Sequence, residues 1–111
     1  MARQNMTPAL VDSLAERFKA LGEPARLQLL LALRGGERAV GDLVERTGLG
    51  QANVSKHLQQ LHQCGFITRR KEGTFAYYTI ANPDVFMLCD VMCGHIEDEA
   101  KERRAALRIA R

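Results

Sequence analysis

The 111-residue sequence has no tryptophan and few aromatic residues, so leucine, valine and alanine must supply its core and helices are the expected frame. No apolar run approaches bilayer length, and the opening MARQNMTPALVDS lacks the apolar core and small-residue cleavage site of a signal peptide. A cytoplasmic protein with no membrane association is therefore expected. Cysteine is scarce and odd in number: with only Cys64, Cys89 and Cys93, and a helical core that needs no stapling, a structural disulfide framework is not expected. Gly48-Leu49-Gly50 lacks the strand, the third glycine and the lysine of a phosphate-cradling loop. No nucleophile has an adjacent base and orienting acid, which argues against an enzyme. There is no internal repeat and no low-complexity segment. The most telling absence is local: between Gln51 and Lys71 there is no acidic residue, while Lys56, Arg69, Arg70 and Lys71 are all basic.

The net charge of +3 is a weak argument for an anionic partner, but its distribution says more. The basic middle is followed by an acidic stretch with Asp84, Asp90, Glu97, Asp98 and Glu99, so the field is concentrated even though the sum is small. The length suits one domain over residues 1–111 and is too short for two independent cores.

Within the acid-free stretch, Leu49, Val54, Leu58 and Leu61 fall on one helical face, while Gln51, Asn53, Ser55, Lys56, His57, Gln59 and Gln60 occupy the rest. A solvated helix usually mixes charge signs, whereas a helix meeting phosphates and base edges favours amides, hydroxyls and cations. The residues placed by spacing near a DNA groove are Gln51, Asn53, Ser55, Lys56, His57 and Gln60. The alternative is a polar face on a protein-interaction helix, whose mark would be acids or apolar residues on that face.

Around this helix the punctuation is regular. Thr7 and Pro8 open a helix through Leu21 carrying Leu10, Val11, Leu14 and Phe18, and Gly22 breaks it. Pro24 opens a second, with Leu27, Leu30, Leu31 and Leu33 inward, ending at Gly35-Gly36. Val40 to Arg46 reads as a third, with Leu43 and Val44 inward and Gly48 at its end. A short turn then leads to the helix beginning near Gln51, the connection of a helix-turn-helix. After Gly65 the period becomes alternating: Phe66 to Arg70 and Phe75 to Ile80 are strands joined by Lys71-Glu72-Gly73-Thr74. Asn82 and Pro83 start a last helix, Asp84 to about Ile109, with Val85, Leu88, Val91, Met92 and Ile96 in one stripe.

The fold class is mainly α with a β-hairpin wing, a winged helix-turn-helix in the order α-α-α-α-β-β-α. In the wing, Arg69, Arg70 and Lys71 would bring charge to flanking phosphates or the minor groove, with Gly73 and Thr74 at its tip; a solubilising hairpin is the alternative. One copy would struggle to bury both terminal helices, so a homodimer is expected, with Leu10, Leu14 and Phe18 meeting Val85, Leu88, Val91 and Met92.

FKALGEPARLQLLLAL and VSKHLQQLHQCGFITRRKEGTFAYYTI resemble, respectively, the second helix and the recognition helix with wing of the ArsR/SmtB family of bacterial winged-helix repressors. The resemblance covers roughly Leu14 to Pro83. It implies a homodimer built through the terminal helices, an imperfect palindrome of double-stranded operator DNA as partner, and derepression by an inducer. Two family metal patterns are missing. Ala39-Val40-Gly41 stands where arsenite, lead or cadmium sensors often carry Cys-Val-Cys. Asp84-Val85-Phe86 lacks the first histidine of zinc sensors, and His95 is followed at the second offset by Asp98, leaving only a partial set of Asp84, His95, Asp98 or Glu99.

Cys89 and Cys93, four apart, share a helical face. Doubled across a dimer they can take a soft metal or metalloid ion as inducer or be oxidised, with His95 a weak further metal candidate; otherwise they are core packing and the regulator has no thiol-based sensing. Cys64 reads as packing. No cofactor is required.

Overall fold

The computed structural model describes residues 5–109, and the ends of the expected 1–111 domain lie outside them. The described chain falls into two compact units, Met1–Ala81 and Asn82–Arg111. The first holds helices α1 (Pro8–Leu21) and α2 (Pro24–Leu33), strand β1 (Arg38–Ala39), helices α3 (Val40–Thr47) and α4 (Gln51–Gln63), and strands β2 (Ile67–Glu72) and β3 (Phe75–Ile80); the second is helix α5 (Val85–Ile109). None of the described helices is long and apolar enough to cross a membrane.

Local chemistry explains the boundaries. The Thr7 hydroxyl accepts a hydrogen bond from the Leu10 amide at 3.1 Å and the Glu23 carboxylate accepts one from the Arg26 amide at 3.1 Å, so α1 and α2 each begin with a side-chain cap followed by proline. Gly48 closes α3 in the left-handed conformation, φ 72°, which lets the chain turn at once toward α4. The connection between these helices is Gly48 to Gly50.

The core is a layer of leucine from α2, α3 and α4 closed by one residue from each wing strand. Leu30, Leu33, Leu43, Val54, Leu58 and Leu61 are at most 1% exposed, and Ile67 and Tyr78 join them. In α2 the core face runs through Leu29, fully buried, and not through Leu31, which is 51% exposed. This helix carries leucine at five of its ten positions, so its periodicity is weak and the packing of α3 and α4 decides which side turns inward.

The sheet is antiparallel in the order β1-β3-β2. β1 was not foreseen: two residues, Arg38 and Ala39, pair with Tyr78 and Tyr77, too short a run for any alternation to show. The wing strand β2 extends to Glu72, beyond the expected end at Arg70, because Lys71 pairs with Ala76 and Glu72 with Phe75. The turn is therefore the two residues Gly73-Thr74. Gly73 has φ 61° and, among the described residues, no non-glycine residue has positive φ, the pattern of a type II′ turn whose twist suits a hairpin.

The revised core face of α2 makes a direct prediction. Leu29→Ala should cost about 2–5 kcal/mol of stability by leaving a cavity, while Leu31→Ala should change it by about 0.5 kcal/mol or less. Urea unfolding at one fixed protein concentration measures both, and equal losses would contradict this assignment.

Candidate nucleic-acid interface

α4 packs on α2 and α3 through Val54, Leu58 and Leu61, each fully buried. Their spacing of four and three residues fixes the rotation of the helix about its own axis. Gln51, Asn53, Ser55 and Lys56 are consequently exposed. Gly50 at the cap of the helix supplies no side-chain acceptor to the first amides of α4.

His57 and Gln60 are placed differently from the expectation of an outward, groove-facing pair. Both are half-buried and turned toward Arg26 of α2. The Arg26 guanidinium donates to Gln60 Oε1 at 2.6 Å and lies 3.3 Å from His57 Nδ1, while its Nε donates to the Ala20 carbonyl and its other nitrogen to the Lys19 carbonyl. His57 Nε2 sits 3.9 Å from the Glu23 carboxylate. Arg26 thus joins the last turn of α1 to the middle of α4. The last carbonyls of α1 carry partial negative charge, and of the two that Arg26 meets, Lys19 has only the shared Gly22 amide at 3.2 Å as a backbone donor, which is why a guanidinium settles there. The sequence-based reading missed this because it assigned outward every polar residue of α4 that was not on the leucine stripe.

The wing separates its two arginines by strand alternation. Arg70 lies 4.7 Å above the Tyr77 ring and is held by two carboxylates: Glu37, at 2.8 Å and 3.2 Å from two guanidinium nitrogens, and Glu72. The hydrogen bond from Arg70 holds the Glu37 carboxyl below its ordinary value of 4.5, and the two carboxylates push the Arg70 guanidinium up. The charge expected of Arg70 at a phosphate is therefore already matched by Glu37, before β1, and Glu72 in the wing. Arg69, one residue earlier, pairs across the strands with Tyr78 and takes the opposite face, toward α4. Lys71, Gly73 and Thr74 are exposed. Arg69 and Lys71 make no ion pair among the described residues. A second carboxylate clamp, Asp42 between Arg38 at 3.0 Å and Arg46 at 3.1 Å, ties β1 to α3, and the hydrogen bonds of both arginines lower the Asp42 carboxyl below its usual range.

Between α4 and the wing runs a groove of about 430 Å³ lined by Ser55, Gln59, His62, Gln63, Arg69 and Tyr78. Of these, Ser55 and Arg69 are DNA contacts expected from spacing and charge, Gln59 is placed by spacing only on the polar face, His62 reads as surface or DNA-facing, and Gln63 does not stand out. The signal for the others was present: residues 55, 59, 62 and 63 lie on one helical face.

In α5, Cys89 is half-buried and Cys93 exposed, both as free thiols; Cys64, at the end of α4, is half-buried and free. Cys89 and Cys93 share a helical face with Met92 and Ile96, which are exposed. Among the described residues of one chain no three His, Cys, Asp or Glu side chains converge as a metal site. His95 is exposed on the same helix.

Residues 23–69, from the cap of α2 to Arg69, match the model of bacterial regulatory proteins of the arsR family. Along nearly the whole chain, 97%, the sequence is 33% identical to the arsenic resistance transcriptional regulator of Pseudomonas putida and covers 81% of that protein. The chain belongs to the ArsR family. It is also 39% identical, over 67% of its length, to the "Probable mercury resistance operon repressor" of Streptomyces lividans, of which it spans 59%. It spans 42% of an HTH-type transcriptional regulator of Mycobacterium tuberculosis. Among solved structures, the homodimeric winged helix-turn-helix DNA-binding domain (fragment 1-100) from Mycobacterium bovis superposes with a TM-score of 0.74 at 34% identity, covering 90% of this chain and 95% of that one. The ArsR family model matches the segment that holds α2, Arg26 and α4. These proteins are transcriptional regulators, a class that is not enzymatic.

The Glu37–Arg70 clamp carries a sign-definite pH dependence. A carboxyl lowered in the folded state contributes stability that is present above its unfolded value and lost as pH falls through the folded value. The clamp should hold from neutral pH to below 4.5 and loosen on further acidification. Nuclear magnetic resonance of the Arg70 Nε–H during acid titration checks this: Glu37→Gln should show the loosened signal already at neutral pH. A signal indifferent to both acid and the substitution would contradict the clamp.

Proposed function

We propose that this ArsR-family chain is a transcriptional repressor that binds double-stranded operator DNA as a homodimer and is released by a thiol-directed effector at α5. The observation that carries the DNA reading is the outward face of α4: Gln51, Asn53, Ser55 and Lys56 are exposed together, acid-free, on a helix whose rotation is fixed by three fully buried apolar residues. Glutamine and asparagine can bond adenine bidentately, serine meets phosphate or base, and Lys56 meets phosphate. Lys71 and the Gly73-Thr74 tip extend the contact to the flanking groove. A protein-interaction helix would carry acids or apolar groups on this face.

The dimer is supported by two uncovered apolar stripes. Val11, Leu14 and Phe18 on α1, at 37% exposure or more, and Leu88, Val91, Met92 and Ile96 on α5, at 48% or more, leave each helix needing a partner surface. A second copy would supply it, and the similar Mycobacterium bovis domain is homodimeric. Two-fold symmetry in the protein then calls for half-sites about one helical turn apart. A repressor working on such an operator would act in the cytoplasm.

Cys89 and Cys93 supply the effector chemistry. Free thiols one turn apart, on a face that a second copy would double, suit a soft ion such as arsenite, a reactive sulfur species or an oxidant. A relaxed disulfide within one helix is awkward at this spacing, so a thiolate-bound ion, a longer sulfur chain or a bridge between protomers fits better. Two relatives are named for resistance to mercury and arsenic, both thiophilic elements. A coupling of about 1–3 kcal/mol between effector and DNA is enough for release. DNA binding itself requires no cofactor.

Selection from random duplexes, followed by measurement on the selected sequence, tests both halves. A two-fold symmetric sequence should emerge, and arsenite, polysulfide or peroxide should release the wild-type protein and Cys64→Ser from it but not the Cys89→Ser/Cys93→Ser variant. No sequence preference would overturn the repressor reading. Release that survives in the double variant, or no release of the wild type by any of these agents, would overturn the thiol reading alone.

A further inference from the structure

The geometry points to the groove between α4 and the wing as a cradle for one backbone phosphate of the DNA strand, with Arg69 as its cation. This rests on the DNA-binding reading and assigns a sequence-independent grip within it. Ser55, Gln59, His62 and Gln63 line one wall from α4, and Arg69 and Tyr78 line the other from β2 and β3. The groove volume of about 430 Å³ is ample for a phosphodiester, and its lining offers hydroxyl, amide and guanidinium donors with no carboxylate.

Two further observations single out Arg69. Its neighbour Arg70 is spent on Glu37 and Glu72, whereas the Arg69 side chain makes no ion pair or hydrogen bond among the described residues. The cross-strand pairing of Arg69 with Tyr78, which is 7% exposed, anchors the backbone of β2 at that point to the core, so the guanidinium is offered from a fixed base and not from a loose loop tip. A strand that passes from the groove read by α4 to the groove touched by the wing must cross between these two elements. The cradle lies on that line. Its amides add donors without adding charge, so Arg69 carries the counterion release and the glutamines set the position of the phosphate.

The test uses the full chain and two 20-base-pair duplexes of random sequence, one with a natural backbone and one with an uncharged methylphosphonate backbone. For binding to the natural duplex, Arg69→Gln should flatten the slope of log K against log salt by about 1.8, one contact of about 0.9 from each protomer. Arg70→Gln should leave the slope unchanged. Gln59→Ala and Gln63→Ala should weaken binding to natural-backbone duplexes of any sequence by the same factor, leaving sequence preference intact, and should not affect binding to the uncharged duplex. In the wild type the Gln59 and Gln63 side-chain amides and the Arg69 Nε–H should shift on adding the natural duplex and stay still with the uncharged one. Circular dichroism of each variant, matching wild type, confirms that the fold is retained. An unchanged slope in Arg69→Gln, or groove signals unmoved by natural DNA that nevertheless binds, would overturn the cradle and leave the repressor reading standing. A wild-type protein that binds no duplex at all would overturn both.

Discussion

The apolar seam of α4 is the constraint on which the rest depends. Val54, Leu58 and Leu61 are completely removed from water against α2 and α3, and each such burial stabilises by roughly 1.5–3 kcal/mol. Rotating the helix by one residue position would expose part of that seam and bury Asn53 or Ser55 without partners, a double loss. Everything outward on α4 is therefore outward by necessity. The polar face is what the core leaves over, and its acid-free composition turns the leftover into an anion-binding surface.

Arg26 adds a polar lock to this apolar one. By joining the Ala20 and Lys19 carbonyls to Gln60 and His57, it ties the end of α1 to α4 by charge-assisted hydrogen bonds, stronger than neutral ones. In the wing, the Arg70 clamp does the same for the hairpin, fastening it to the loop before β1 through Glu37. Both arginines serve position, and Lys56, next to His57 in α4, and Arg69, next to Arg70 in β2, are left to meet a ligand. Basic residues in this chain divide into those that hold the interface and those that offer it.

Much of this is legible in the sequence. Thr7-Pro8, Pro24, Gly48 and Gly65 mark element ends through capping and backbone rules that act locally, and the seam of α4 is a clear helical period. Three things were not legible, each for a physical reason. The core face of α2 was ambiguous because leucine lies on several of its sides, so Leu29 and Leu31 exchange roles only when neighbours pack. β1 is too short to show a pattern. The inward turn of His57 and Gln60 and the caging of Arg70 depend on partners 31 to 34 residues away, which spacing within one element cannot reveal.

The central claim is that the seam leaves Gln51, Asn53, Ser55 and Lys56 as the face that reads DNA. The direct measurement is the affinity, for a selected two-fold duplex and for a scrambled one, of a variant with these four residues changed to alanine. Alanine favours the helix and none of the four is buried, so the fold should be retained, as unfolding and circular dichroism would verify. The account predicts that the preference for the selected duplex disappears while weak, salt-sensitive binding to both remains through Arg69 and Lys71. A folded variant that still prefers the selected duplex as strongly as wild type would contradict it.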